Sequence, residues 1–117
     1  MYVETTKGRI DFSAEYSEEA DKIRKKMCLT SYYKYGSAKE NFGKGLVDSL
    51  ETHEKCIKKY KETKNKEYLL DAMNYLMFEF MYPQIDGTYY KPTESKDSAG
   101  ISGISIKEME DLSKEDY

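Results

Sequence analysis

Apolar residues recur along this chain at helical intervals in three places. After Ser17, the run "EEADKIRKKM" puts Ala20, Ile23, Met27 and Cys28 on one side, with acids in the first turn and bases in the last. That polarity suits the helix dipole and predicts a helix over 17–29, ending near Thr30. Further on, Phe42, Leu46, Leu50, His53, Ile57 and Tyr60 are spaced 4, 4, 3, 4 and 3. One unbroken face at that spacing predicts a helix over 38–63, opened by the capping box Ser37-x-x-Glu40. Gly43 and Gly45 weaken its first turns by roughly 1 kcal/mol each relative to Ala and leave room for another backbone to come close. A third helix, over 66–82, starts after Asn65, a good cap, and stops before Pro83.

The third helix is the most apolar. Leu69, Leu70, Met73, Leu76, Met77, Phe80 and Met81 cover a broad arc, and Asp71, Asn74, Tyr75, Phe78 and Tyr82 cover the opposite one, with Glu79 at its edge. A helix this apolar belongs at the centre of its domain. Its seven large apolar residues are also enough to build a homodimer core.

Between and around the helices the pattern is weaker. Residues 1–12 alternate loosely around Val3, Ile10 and Phe12, which suits a strand or an extended arm. "SYYKYGS", residues 31–37, reads as a connector. Residues 83–104 hold two Pro, three Gly and many Ser and Thr, an irregular segment expected to pack on the third helix. Ser105-x-x-Glu108 then opens a short last helix over "IKEMEDL". The expected fold is mainly α: one small helical domain of about three principal helices, an irregular C-terminal segment and a short last helix.

Composition adds limits. The length of 117 residues suits one domain. Charged residues make up 35% and hydrophobic ones 38%, and 12 Tyr and 4 Phe supply enough apolar bulk for a core. "MYVETTKGRI" has no apolar signal-sequence core, and no run nears the roughly 20 apolar residues of a membrane span. The expectation is a cytoplasmic chain with Cys28 and Cys56 as reduced thiols. Net charge is −3, but six lysines (55, 58, 59, 61, 64 and 66) meet only Glu62 between positions 55 and 66. With the nearby tyrosines they suit a nucleic-acid backbone, although a solvated helix end is the commoner use of such a cluster.

Candidate chemistry is sparse. His53-x-x-Cys56 offers two zinc ligands on one helix face, but a site needs three or four, so no metal or cofactor is expected. Asp71 and Glu79 share the third helix at about 12 Å along its axis, too far for a shared proton. The simpler expectation is a structural polar network in which Asp71, Asn74, Tyr75 and Glu79 satisfy amides and hydroxyls of the tail, near Ser95 and Ser98. "TESKDSAGISG", residues 93–103, can present amides to a phosphate but lacks the P-loop pattern and suits ordinary turns. Tyr32, Tyr33, Tyr35, Tyr89 and Tyr90 are candidates for partner binding, because Tyr gives large contact area at low entropy cost. The alternative is that some cover the edge of the core.

One stretch carries a resemblance. "YKETKNKEYLLDAMNYLMFEFMYPQ" followed by "TESKDSAGISG" resembles a group of small proteins of phages and prophages of Gram-positive bacteria. Asn74, Tyr75, Met77, Glu79, Phe80, Met81 and Pro83 match the middle of that group's pattern, and Thr93, Ser95, Ser98 and Gly100 match its end. The match covers roughly residues 60–103. Lys64 stands where the group often has Gly, and "QIDGTYY" replaces the group's own loop. The resemblance implies a phage-borne accessory protein in the host cytosol. Such proteins often bind and inhibit a host protein, anti-CRISPR proteins among them. The expectation is therefore a non-enzymatic inhibitor of a host defence component such as a CRISPR effector. The alternative is a sequestering protein for a phosphorylated signal, and an enzyme is the weakest reading.

Overall fold

A computed structural model describes residues 1–97 and residue 99. The chain is mainly α-helical and divides into two units, Met1–Asp86 and Gly87–Tyr117. The first unit holds a hairpin of β1 (Tyr2–Thr5) and β2 (Gly8–Asp11), then α1 (Glu18–Tyr35), α2 (Ala38–Gly43), α3 (Ser49–Thr63) and α4 (Glu67–Met81).

The N-terminal arm is folded back on itself. β1 and β2 pair antiparallel, with Val3 opposite Ile10 and Thr5 opposite Gly8. Gly8 takes the positive φ of 109° that closes the turn, and the Thr5 hydroxyl donates to its carbonyl at 2.7 Å. Arg9 lies 4.5 Å over the Tyr2 ring.

α1 starts where expected, with the Ser17 hydroxyl accepting from the Ala20 amide at 3.0 Å. It does not stop near Thr30. "SYYKY" contains no residue that breaks a helix, so the tyrosines continue it until Gly36, whose φ of 87° ends it. The expected connector is thus the last turns of α1, and Tyr32, Tyr33 and Tyr35 are helical.

The helix expected over 38–63 is broken. α2 ends at Gly43, Gly45 takes φ 69°, and the Val47 amide donates back to the Asn41 carbonyl at 2.9 Å. Asp48 then opens α3, its carboxylate accepting from the Glu51 amide at 2.9 Å. The apolar spacing runs through this break, but Leu46 falls inside it and is exposed. Neither glycine receives a close backbone: a side chain at Gly45 would meet open space, and Gly43 faces the Tyr82 ring.

α3 and α4 form the most extensively packed pair, an antiparallel hairpin turned at Lys64. Lys64 adopts φ 64° and ψ 15°, the left-handed conformation that Gly takes without strain. The turn keeps a glycine geometry without the glycine. The N-cap position of α4 falls to Lys66, without a side-chain cap hydrogen bond; Asn65, expected as the cap, sits one residue earlier and accepts from the Glu67 amide at 3.0 Å. α4 lies against α1, α2 and α3. Phe42 of α2 is the centre of this packing: its ring stacks on Phe78 at 4.5 Å and meets Tyr75 edge-on at 5.9 Å.

Residues 83–86 belong to the first unit. In the second, Ser95–Asp97 forms a short 3-10 turn, the Asp97 amide donating to Glu94 at 2.9 Å. Ser98, Gly100 and the expected last helix over "IKEMEDL" lie outside the described residues. Among the described residues, no helix is long and apolar enough to cross a membrane.

Candidate functional site

The arc of α4 that carries Asp71, Asn74, Tyr75, Phe78 and Glu79 turns inward, where it takes part in two hydrogen-bonded clamps and one cavity. The first clamp explains the carboxylate inside "NYLMFEFMYPQ". Glu79 accepts from the Ser49 hydroxyl with one oxygen and from the Gln84 amide at 3.0 Å with the other. Gln84 reciprocates: its side-chain carbonyl accepts from the Ser49 amide at 3.1 Å, and its side-chain amide donates to the carbonyls of Phe42 at 3.1 Å and Val47 at 2.7 Å. Ser49 is 0% exposed. Glu79 thereby joins the end of α2, the start of α3 and the chain after α4.

The second clamp joins α4 to α1. Arg24 Nε donates to Asn74 Oδ1 at 3.1 Å, and Asn74 Nδ2 donates to the Arg24 carbonyl at 3.3 Å. The guanidinium also reaches Asp21 Oδ1 at 3.3 Å and Met77 Sδ at 3.8 Å. Asn74 is 5% exposed, and both ends of its amide are used.

The expected polar network is therefore corrected. Asp71, Asn74, Tyr75 and Glu79 do not act as one set. Among the described residues, Glu79 is bonded to Ser49 and Gln84, which the α2–α3 break and Pro83 bring to it, while Ser98 and Gly100 lie outside the described residues. Among the described residues, Asp71 and Tyr75 make no side-chain hydrogen bond, to each other or to the clamps. Ser49, Gln84 and Arg24 escaped the sequence reading. The signals were small: Asp48-Ser49 is a cap pair, and Arg24 is an arginine among lysines, where a planar fork differs from a point charge.

Between α1, α2 and α4 lies a cavity of about 320 Å³. α1 contributes Cys28, Tyr32 and Tyr35, α2 contributes Phe42, and α4 contributes Asp71, Tyr75 and Phe78. Asn41 fastens its rim, donating to the Tyr35 carbonyl at 3.0 Å. Burial raises the Asp71 carboxyl above its ordinary value, and the charge of Glu67 adds to this. Burial also raises Cys28, Cys56 and Tyr75, and the Asp71 charge pushes each of them further up. Arg24 partly opposes the rise at Cys28.

The remaining candidates fall elsewhere. Tyr33 and Tyr35 are 79% and 70% exposed at the end of α1, and Tyr32 meets Tyr33 edge-on at 5.5 Å. Tyr89 and Tyr90 are exposed in the second unit. His53 is half-buried on α3, and Cys28 and Cys56 are free thiols. Among the described residues, no group of three or more His, Cys, Asp or Glu is placed to hold a metal ion. Lys58, Lys59, Lys61, Lys64 and Lys66 are exposed around the α3–α4 turn, where cations suit the helix C-terminus. No family model matches the chain, and neither a curated protein nor a solved structure does.

Proposed function

We propose that this chain is a non-enzymatic binding protein that occupies another protein through the tyrosine-bearing end of α1. The observation that carries the reading is the exposure of Tyr33 and Tyr35 on a helix that Gly36 and the Asn41 hydrogen bond hold in place. Rigid, exposed tyrosines are the residues on which binding energy concentrates at protein interfaces. The motif from Asn74 to Pro83, with its phage resemblance, supplies the setting: a host protein, a defence component such as a CRISPR effector being the leading target. Two of the three carboxylates of α4 fit this non-catalytic reading. Glu79 is occupied in holding Ser49 and Gln84, and Asp71 faces a separate cavity.

The test is capture from a Gram-positive host lysate with the tagged chain and with a Tyr33→Ala/Tyr35→Ala variant, read by mass spectrometry. The reading expects one stoichiometric protein, released by the double variant. No captured protein, or equal capture by both baits, overturns it. The alternative, sequestration of a phosphorylated signal, belongs to the Ser/Gly-rich loop of residues 93–103, of which 98 and 100–103 lie outside the described residues; among the described residues, the cavity lining contains Asp71 and no Lys, Arg or His, which does not suit an anion.

A further inference from the structure

Among the described residues, the cavity between α1, α2 and α4 is lined by one charged side chain, Asp71. Among the described residues, Asp71 makes no ion pair and no side-chain hydrogen bond. Arg24, which reaches the same region, is committed to Asp21, Asn74 and the Met77 sulfur. Asn74 uses its carbonyl oxygen and one of its two N–H donors on Arg24. The titratable groups around the carboxylate bring it no positive charge: Cys28, Cys56 and Tyr75 ionise only to anions, and burial works against even that. Asp71 is half-buried and burial raises its carboxyl, so a cation seated beside it would offset that desolvation.

The walls define which cation would fit. Phe42, Tyr75 and Phe78 form one aromatic cluster, with centroid separations of 4.5, 5.9 and 6.4 Å. Tyr32 and Tyr35 border the cavity from α1. Aromatic faces are negative and attract cations, most strongly where water is excluded. An anion would meet the Asp71 charge, and a neutral apolar ligand would take water from a half-buried carboxylate and give it no partner in return. The volume of about 320 Å³ is at the small end of ligand pockets.

We propose that this cavity binds a small organic ammonium ion, its charge against the Asp71 carboxylate and its alkyl groups against the Phe42, Tyr75 and Phe78 rings. The inference does not depend on the protein-binding reading. The cation has two sources of the same chemistry, a free alkylammonium compound or the lysine side chain of a bound protein.

The experiment titrates the full chain with choline, with Nα-acetyl-lysine amide, and with the neutral carbon isostere of choline, in which a tert-butyl group replaces trimethylammonium. Backbone-amide NMR spectra report the site. At least one cation is expected to shift the Cys28, Asp71 and Tyr75 amides saturably, and the isostere to bind about tenfold more weakly or worse. Asp71→Asn is expected to abolish the preference for cation over isostere while melting no lower than the wild type. A stronger response to choline assigns the site to a free cation, and a stronger response to the lysine derivative assigns it to a partner's side chain. The proposal is overturned if neither cation shifts these amides, if the isostere binds as well as choline in the wild type, or if Asp71→Asn keeps the preference.

Discussion

The two faces of α4 differ chemically, and much of the apolar arc faces out, although Leu69, Leu70 and Met77 within it are half-buried. Met73, Leu76, Phe80 and Met81 are exposed, while Asn74 is buried and Tyr75, Phe78 and Glu79 are at least half-buried. Hydrophobicity alone would turn the helix the other way. The difference is made by partners. Asn74 has Arg24, Glu79 has Ser49 and Gln84, and Phe78 and Tyr75 have Phe42. Each of these contacts fits one rotation of α4 about its axis, whereas an aliphatic stripe packs acceptably in several. The inward face is chosen by complementarity, and the outward face is what remains.

The sharpest way to break the comparison is at Phe42, which is 7% exposed and holds the inner aromatic face. Phe42→Ala is expected to cost about 3–5 kcal/mol, the usual range for a buried phenylalanine, read by urea denaturation. Next comes the first clamp. Glu79→Gln replaces one of two accepting oxygens with a donor, which then faces the Ser49 hydroxyl or the Gln84 amide. The expected loss is about 1–3 kcal/mol. A double-mutant cycle of Glu79→Gln with Ser49→Ala should show coupling, because the two share a hydrogen bond. Additive losses would mean that the clamp is not a unit.

The helical class, the Ser17 cap and the end of α4 before Pro83 were legible in the sequence, because each depends on residues a few positions apart; the start of α4 was legible to within one residue, Asn65 standing just before the Lys66 cap position. The break between α2 and α3 was not. The apolar spacing from Phe42 to Tyr60 continues through it, and only Gly45 and Asp48 mark it. The inward orientation of α4 was legible only in part. "NYLMFEFM" announces that Glu79 needs a partner, but Ser49 lies 30 residues away and Arg24 lies 50 from Asn74. Which distant residue answers a polar group is a property of the packed chain. The cavity was invisible for the same reason: Tyr32 and Tyr35 belong to a stretch that reads as a connector, and Asp71 to a different helix.

Two smaller changes sharpen the comparison without breaking it. The turn at Lys64 sets how α4 meets α3, and it holds a lysine at φ 64°. Lys64→Gly is expected to gain about 0.5–1 kcal/mol, since relief of left-handed strain exceeds the added flexibility of the unfolded chain. A loss would mean that the Lys64 side chain contributes contacts of its own. Asp71→Asn should raise the melting temperature at neutral pH, because it removes a charge that burial disfavours. The sign follows from the raised pKa. Protonation favours the fold, so the contribution of Asp71 is fully present below its ordinary 3.8 and is lost as pH rises through the raised folded value. The advantage of Asp71→Asn should therefore shrink as pH falls through that range. An advantage that stays constant with pH would mean that the Asp71 charge is not its cause.

The smallest effect is expected at Phe80, the counterpart of Phe42 on the outward face and 72% exposed. Phe80→Ser should change stability by no more than about 0.5 kcal/mol, because an exposed ring loses little water-free contact on removal. The same residue type, on the two sides of one helix pair, should thus differ several-fold in cost. Protein concentration gives this prediction its second reading. A chain whose outer stripe meets only water has a melting temperature independent of concentration. If a second copy covers Met73, Leu76 and Phe80, the wild type melts higher as concentration rises, and Phe80→Ser removes that dependence. In that case the apolar face of α4 would be a core after all, completed by another chain, and exposure in one copy would no longer distinguish the two faces.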